Sequence, residues 1–282
     1  MSNHLFVALI ILFTAFGSSI WNALIKSSID RLVFATLMVI PQFFIVFPFL
    51  FIFPKPSFTT FEYLTISSII HTSYIIFLGL AYKEGQLSHV FPLAAGTAPL
   101  LALGYGWLID GHSLSSIAIM GIIILCTGIM SLVFIDKSFL TISMRKSTLY
   151  AVMTSFFIFG YALIDANGVL TAISPLQYIV WLFALKALLL FIPMCFLGKI
   201  KLVTIKMHWP QYLSAGLIAG AGYAVIVWTF SHREVEVILA LRSTSILFTM
   251  IMSIFLLKES FTWIKMLSTS FITLGLFLIL LT

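Results

Sequence analysis

The feature that most constrains this chain is its spacing: ten apolar runs of about twenty residues, separated by connections too short to fold on their own. They fall at about 5–25, 32–53, 59–82, 86–109, 113–135, 148–169, 175–197, 209–231, 235–257 and 262–281. At 1.5 Å per residue, a helix of about twenty residues crosses the ~30 Å hydrocarbon core of a bilayer. Inside that core each backbone N–H and C=O must find a partner within its own segment, so such a run folds as a helix. The reading is an all-α polytopic membrane protein with ten transmembrane helices. Composition agrees, since 9% of residues are charged against about 25% in soluble domains. The first run has no basic leader and no small-residue cleavage motif, so it is expected to remain as the first helix.

The longest connection, 136–147, divides the runs five and five, giving expected halves of 1–140 and 141–282. An odd number of spans per half makes the halves insert in opposite senses. That is an inverted repeat, which places a solute site near the midplane between them. Setting Tyr74 against Tyr223 brings Lys83-Glu84 opposite His232-Arg233 and Asp110-Gly111 opposite Glu259-Ser260 without a gap. Setting Phe16-Gly17 against Phe159-Gly160 brings Asn22 opposite Asp165. Thr14, Ser18 and Asn22 then form one polar stripe, and Thr154, Tyr161 and Asp165 the other.

The net charge of +6 is spread over short loops instead of one basic face, so nucleic acid is not an expected partner. It reports orientation. Lys26, Arg31, Lys83, Lys137, Arg145, Lys146, Lys199, Lys201, Lys206, Lys258 and Lys265 fall on one side, Lys55 and Arg233 on the other. The positive-inside bias makes the first side cytoplasmic and, in the inner membrane of a bacterial cell, puts both termini outside. Cys126 and Cys195 lie in apolar runs without metal-ligand or disulfide-framework spacing and read as packing residues. No phosphate-binding loop, metalloprotease or nucleophile-elbow motif occurs, so neither a cofactor, a metal nor an enzymatic activity is expected.

Charges inside the apolar runs mark the candidate site, because a charge at bilayer depth costs at least about 2.5–3.5 kcal/mol and faces protein or water. Arg242 lies inside the ninth run, with Ser245, Thr249 and Ser253 following on one helical stripe. That stripe reads as a cavity wall, the alternative being a snorkelling arginine with hydroxyls bonded to their own helix. Lys186 sits in mid-run as a substrate contact, a proton-coupling group or the partner of Asp165. Asp165 can neutralise one of the two cations. If Asp110 and Glu259 stay at the surface, one positive charge is left over, which favours an anionic or zwitterionic solute. His71 and Tyr74 share a face of the third run, and His71 joins Asp165 as a candidate proton carrier. Trp21 beside Asn22, and Tyr223, complete the expected lining, while Trp107, Trp209 and Trp263 read as interfacial belt residues. Gly216 and Gly220 are expected to serve close helix packing. His89, Pro92, Gly96 and Pro99 share a face of the fourth run, as packing or as a hinge.

The segment from Trp107 through Asp110 to Gly121 and Gly128, and its counterpart from Phe255 through Glu259 to Gly275, are an apolar helix, an acidic end and a glycine-spaced helix. With Ala81-Tyr82, Leu87-Ser88 and Pro92 to Pro99, these resemble EamA-type members of the drug/metabolite transporter superfamily. The resemblance implies the fold and a transporter, with export favoured, and cytoplasmic termini, contrary to the charge count. The expected function is a secondary active transporter moving a small anionic or zwitterionic metabolite, of amino-acid or organic-acid type, by alternating access. A flippase for a lipid-linked or amphiphilic phosphate-bearing molecule is the alternative, and an intramembrane enzyme using Asp165, His71 and Lys186 a remote one. Expected partners are the solute, membrane lipids and protons, with the chain acting as a monomer or homodimer.

Overall fold

A computed structural model describes residues 2–109, 111, 115–134, 142–198, 202–232, 235–260 and 262–281. Asp110, Lys137, Lys199, Lys201, Arg233 and the expected boundary at 140 lie outside the described residues. The elements are α1 (Ser2–Ser27), α2 (Arg31–Leu37), α3 (Val39–Val46), a 3₁₀ segment (Phe47–Phe51), α4 (Phe58–Glu84), α5 (Leu87–Leu108) and α6 (Ser116–Phe134). They continue with α7 (Ile142–Thr171), α8 (Pro175–Phe196), α9 (Leu202–Phe230), α10 (Val235–Ser243), α11 (Ser245–Phe255) and α12 (Trp263–Leu280). No strand occurs among the described residues. Eight stretches are long and apolar enough to cross a membrane, and Ser116–Ser131 and Trp263–Ile279 are shorter apolar helices. The chain is a multi-pass, all-helical membrane protein.

Two runs expected as single helices are broken. In the second, Pro41 has no N–H to give Leu37 and its ring crowds that carbonyl, so the helix is interrupted at Met38 between α2 and α3. Pro48 then opens the 3₁₀ segment. In the ninth, the break falls at Thr244, whose Oγ1 turns back to the Leu241 carbonyl at 2.7 Å. It therefore interrupts the expected stripe from Arg242 to Ser253. The eighth run begins at a kink, with His208 non-helical two residues before Pro210. Part of the longest connection is helical as well, since α7 starts at Ile142.

Prolines inside α5 leave that helix continuous, and one freed carbonyl has a visible partner. Pro99 cannot donate to Ala95, and the Ser243 hydroxyl donates to the Ala95 carbonyl at 2.7 Å instead. Small residues set the close approaches. A Cβ on Gly216 would lie 2.3 Å from the Met38 carbonyl oxygen, so α9 meets the α2–α3 junction backbone to backbone. Gly121 of α6 and Gly275 of α12 face each other in the same way, each Cβ position falling within 2.8 Å of the other's carbonyl oxygen. Trp107 and Trp263 are exposed near helix ends and Trp209 beside the kink of α9, positions that suit a lipid-facing belt.

One end of the bundle is fastened by charges. Lys26 of α1 donates to the Tyr82 carbonyl at 2.8 Å and to that of Gly85, satisfying the open C-terminus of α4. Glu259, expected at the surface, accepts from the backbone N–H of Leu87 at 2.6 Å and of Ser88 at 3.0 Å and caps the start of α5. Lys265 of α12 donates to the Gln86 side-chain oxygen in the same turn.

Candidate functional site

The candidate site is a cavity of about 50 Å³ at the meeting of α1, α3, α4, α7, α8, α9 and α10, with Met38 at the α2–α3 break. Its lining includes Thr14, Ser18, Trp21, Gln42, His71, Tyr74, Tyr161, Lys186, Tyr223 and Arg242. That volume holds a few waters, so a metabolite requires the surrounding helices to part.

The break at Thr244 changes the position of Arg242. Instead of sitting in mid-helix, it occupies the last turn of α10, where the partial negative charge of the open carbonyls favours a cation. Its guanidinium donates to the Tyr161 hydroxyl at 3.0 Å and lies 5.7 Å from the Tyr223 ring centroid. Lys186 is 5% exposed, and its Nζ lies 4.3 Å from the Phe183 ring centroid and 5.8 Å from that of Tyr223. Ring faces partly replace hydration around a cation without neutralising it.

Of the three readings of Lys186, the pair with Asp165 is not formed. Asp165, 0% exposed, has its oxygens occupied by the Tyr178 hydroxyl at 2.8 Å, the Tyr223 hydroxyl and His71 Nε2 at 3.2 Å. His71–Asp165 is the one acid–base contact of salt-bridge length among the described residues. The histidine ring also stacks on Tyr161 at 3.9 Å and meets Tyr223 edge-on at 4.8 Å. These contacts hold its ring plane, while Asp165 sits behind the lining residues. The cavity wall thus carries two cations with no carboxylate at salt-bridge distance.

Six of the expected site residues, Trp21, His71, Tyr74, Lys186, Tyr223 and Arg242, line this one cavity. Asn22 does not. It is buried, with its amide donating to the Ser18 carbonyl and its oxygen accepting from the Tyr82 hydroxyl at 2.6 Å. Ser245 lines a smaller adjoining cavity of about 30 Å³ with Ser18, Tyr74 and Arg242. Thr249 donates to the Ser19 hydroxyl at 3.0 Å, which in turn donates to the Ser245 carbonyl, so this part of the polar stripe joins α11 to α1. Gln42, Tyr178 and Phe183 were not singled out in the sequence. A lone amide in an apolar run was the available signal for Gln42; nothing local marked the others.

Residues 146–281 match the model of the EamA-like transporter family, which belongs to the drug/metabolite transporter superfamily. Over that stretch, just under half of the chain, the sequence is similar to the membrane transporters of that superfamily. A solved crystal structure, 10% identical, is similar over 100% of this chain and 97% of its own with a TM-score of 0.71, and supports the fold alone. No curated protein matches the sequence significantly.

Proposed function

We propose that this chain is a secondary active transporter that carries a small anionic or zwitterionic metabolite across the inner membrane by alternating access. The observation that carries the reading is the pair of cations, Lys186 and Arg242, facing one cavity without a contacting carboxylate. Holding them there is costly unless an anionic group joins them for part of the cycle. Arginine's planar fork suits a carboxylate or phosphate, and lysine adds a point charge. Export is the direction the family resemblance favours.

In this reading ten spans form two inverted halves, 1–140 and 141–282, with the eight long spans completed by the two shorter apolar helices. The packing supports it: α1 lies against α9, and α7, its counterpart in the register above, lies against α4, the counterpart of α9. Rocking of one half on the other opens the cavity to each side in turn. His71 and Asp165 are the proposed proton carriers.

An amphiphilic, phosphate-bearing solute is a second reading. It is favoured by an apolar groove of about 390 Å³ between α2–α3 and α9, lined by residues such as Ile40, Phe44, Trp209 and Leu213. Met38, Val39, Ile218 and Ala219 of the same seam line the charged cavity.

Flux in proteoliposomes tests the first reading. Lys186→Ala and Arg242→Ala are expected to cut transport by at least about tenfold, the loss that accompanies one missing charged hydrogen bond. Folded yield should be retained, and wild-type flux in both variants refutes the cationic site. An imposed pH gradient should drive flux in the wild type and not in His71→Gln. Flux indifferent to the gradient in the wild type removes the proton role.

A further inference from the structure

The cavity offers more than positive charge. Gln42, on α3, is 3% exposed and lines the wall that carries Lys186 and Arg242. Its Nε2 donates to the Gly216 carbonyl at 3.2 Å, and this bond fixes which way the amide points. The Oε1 atom is then left buried with no hydrogen-bond partner among the described residues. A buried acceptor without a donor carries a desolvation cost that an apolar side chain of similar size would not incur.

Unlike the neighbouring hydroxyls, an amide oxygen only accepts. A solute that carries an anionic group alone leaves it unsatisfied, whereas one that also carries an N–H donor satisfies both kinds of group. We propose that Gln42 determines specificity in this cavity and that the solute is a zwitterion of amino-acid type. Its carboxylate engages Lys186 and Arg242, and its ammonium group donates to Gln42 Oε1. This inference rests on the cationic-site reading and narrows it from anions in general to anions with N–H donors.

The test is equilibrium binding to the full chain in lipid nanodiscs, with a panel of α-amino acids set beside their 2-oxo and N,N,N-trimethyl counterparts. The first counterpart removes the nitrogen, and the second keeps its charge but removes every N–H. The wild type is expected to bind the preferred amino acid about tenfold more tightly than either counterpart, the ratio one charged hydrogen bond supports. Gln42→Met, similar in volume and without an amide, should bring the three classes within about twofold. Gln42→Glu keeps an acceptor while losing the donor to Gly216, and should keep or raise the amino-acid preference.

Three outcomes overturn the proposal: no preference in the wild type, a preference that survives in Gln42→Met, or an equal loss for all classes in both variants. The last would make Gln42 a tie between α3 and α9 only. Lys186→Gln and Arg242→Gln form a separate arm and should weaken all three classes. If they do while the Gln42 arm fails, the cationic site stands without this refinement. If they leave binding unchanged, or the wild type binds none of the panel, both fall.

Discussion

At the α4–α5 turn, Lys26 and Glu259 are committed to backbone groups: one satisfies carbonyls at the end of α4, the other the amides that open α5. At the cavity, Lys186 has two ring faces for company, and Arg242 has one ring face and a single hydroxyl. Each environment removes charge from water, but only the turn supplies complementary partners for it. The difference separates charges that hold the bundle together from charges kept for something that arrives later, and it yields opposite expectations for the same kind of mutation.

The largest effect should come from the cavity. Lys186→Met is expected to lower flux by tenfold or more while leaving thermal stability unchanged or raised, because a desolvated cation is replaced by an apolar chain of similar size. A marked loss of stability would show that Lys186 is structural, and the contrast would collapse. At the turn the sign reverses. Glu259→Ala leaves two amides at the start of α5 without their acceptor and should destabilise by about 1–2 kcal/mol in a denaturation series. A stability equal to wild type would mean that water replaces the carboxylate at no cost.

Smaller effects sharpen the picture. Ser243→Ala removes the donor to the carbonyl that Pro99 frees, with an expected cost of about 1 kcal/mol. Thr249→Val loses one hydroxyl contact to Ser19 and should cost about 1 kcal/mol or less, with flux retained. A flux defect as large as that of Arg242 would return the lower part of the stripe to the solute path.

Much of the architecture could be read from the amino acids because lipid leaves few options: an apolar run of spanning length is a helix whatever it packs against. Lys186, Arg242 and Asp165 were legible for the same reason, being charges where charges are expensive. Their partners were not. Asp165 bonds to His71 across 94 positions and to Tyr223 across 58, and no periodicity encodes such pairings. A pair with Lys186, one of the three readings of that lysine, is electrostatically sound, but three other donors occupy the carboxylate. Asn22 falls on the polar stripe, yet the hydroxyl of Tyr82, on α4, occupies its side-chain oxygen and Asn22 does not line the cavity. The break at Thr244 left no proline in its own helix as a warning, whereas the break at Met38 had Pro41.

The central claim is that Lys186 and Arg242 jointly form an anion-binding site. Ligand-induced stabilisation of the purified protein tests it most directly, since a ligand held at one hundred times its Kd raises native-state stability by about 2.7 kcal/mol. A small carboxylate-bearing metabolite should raise the melting temperature of the wild type, and that rise should vanish in both Lys186→Gln and Arg242→Gln. A rise of equal size in the two variants would contradict the account.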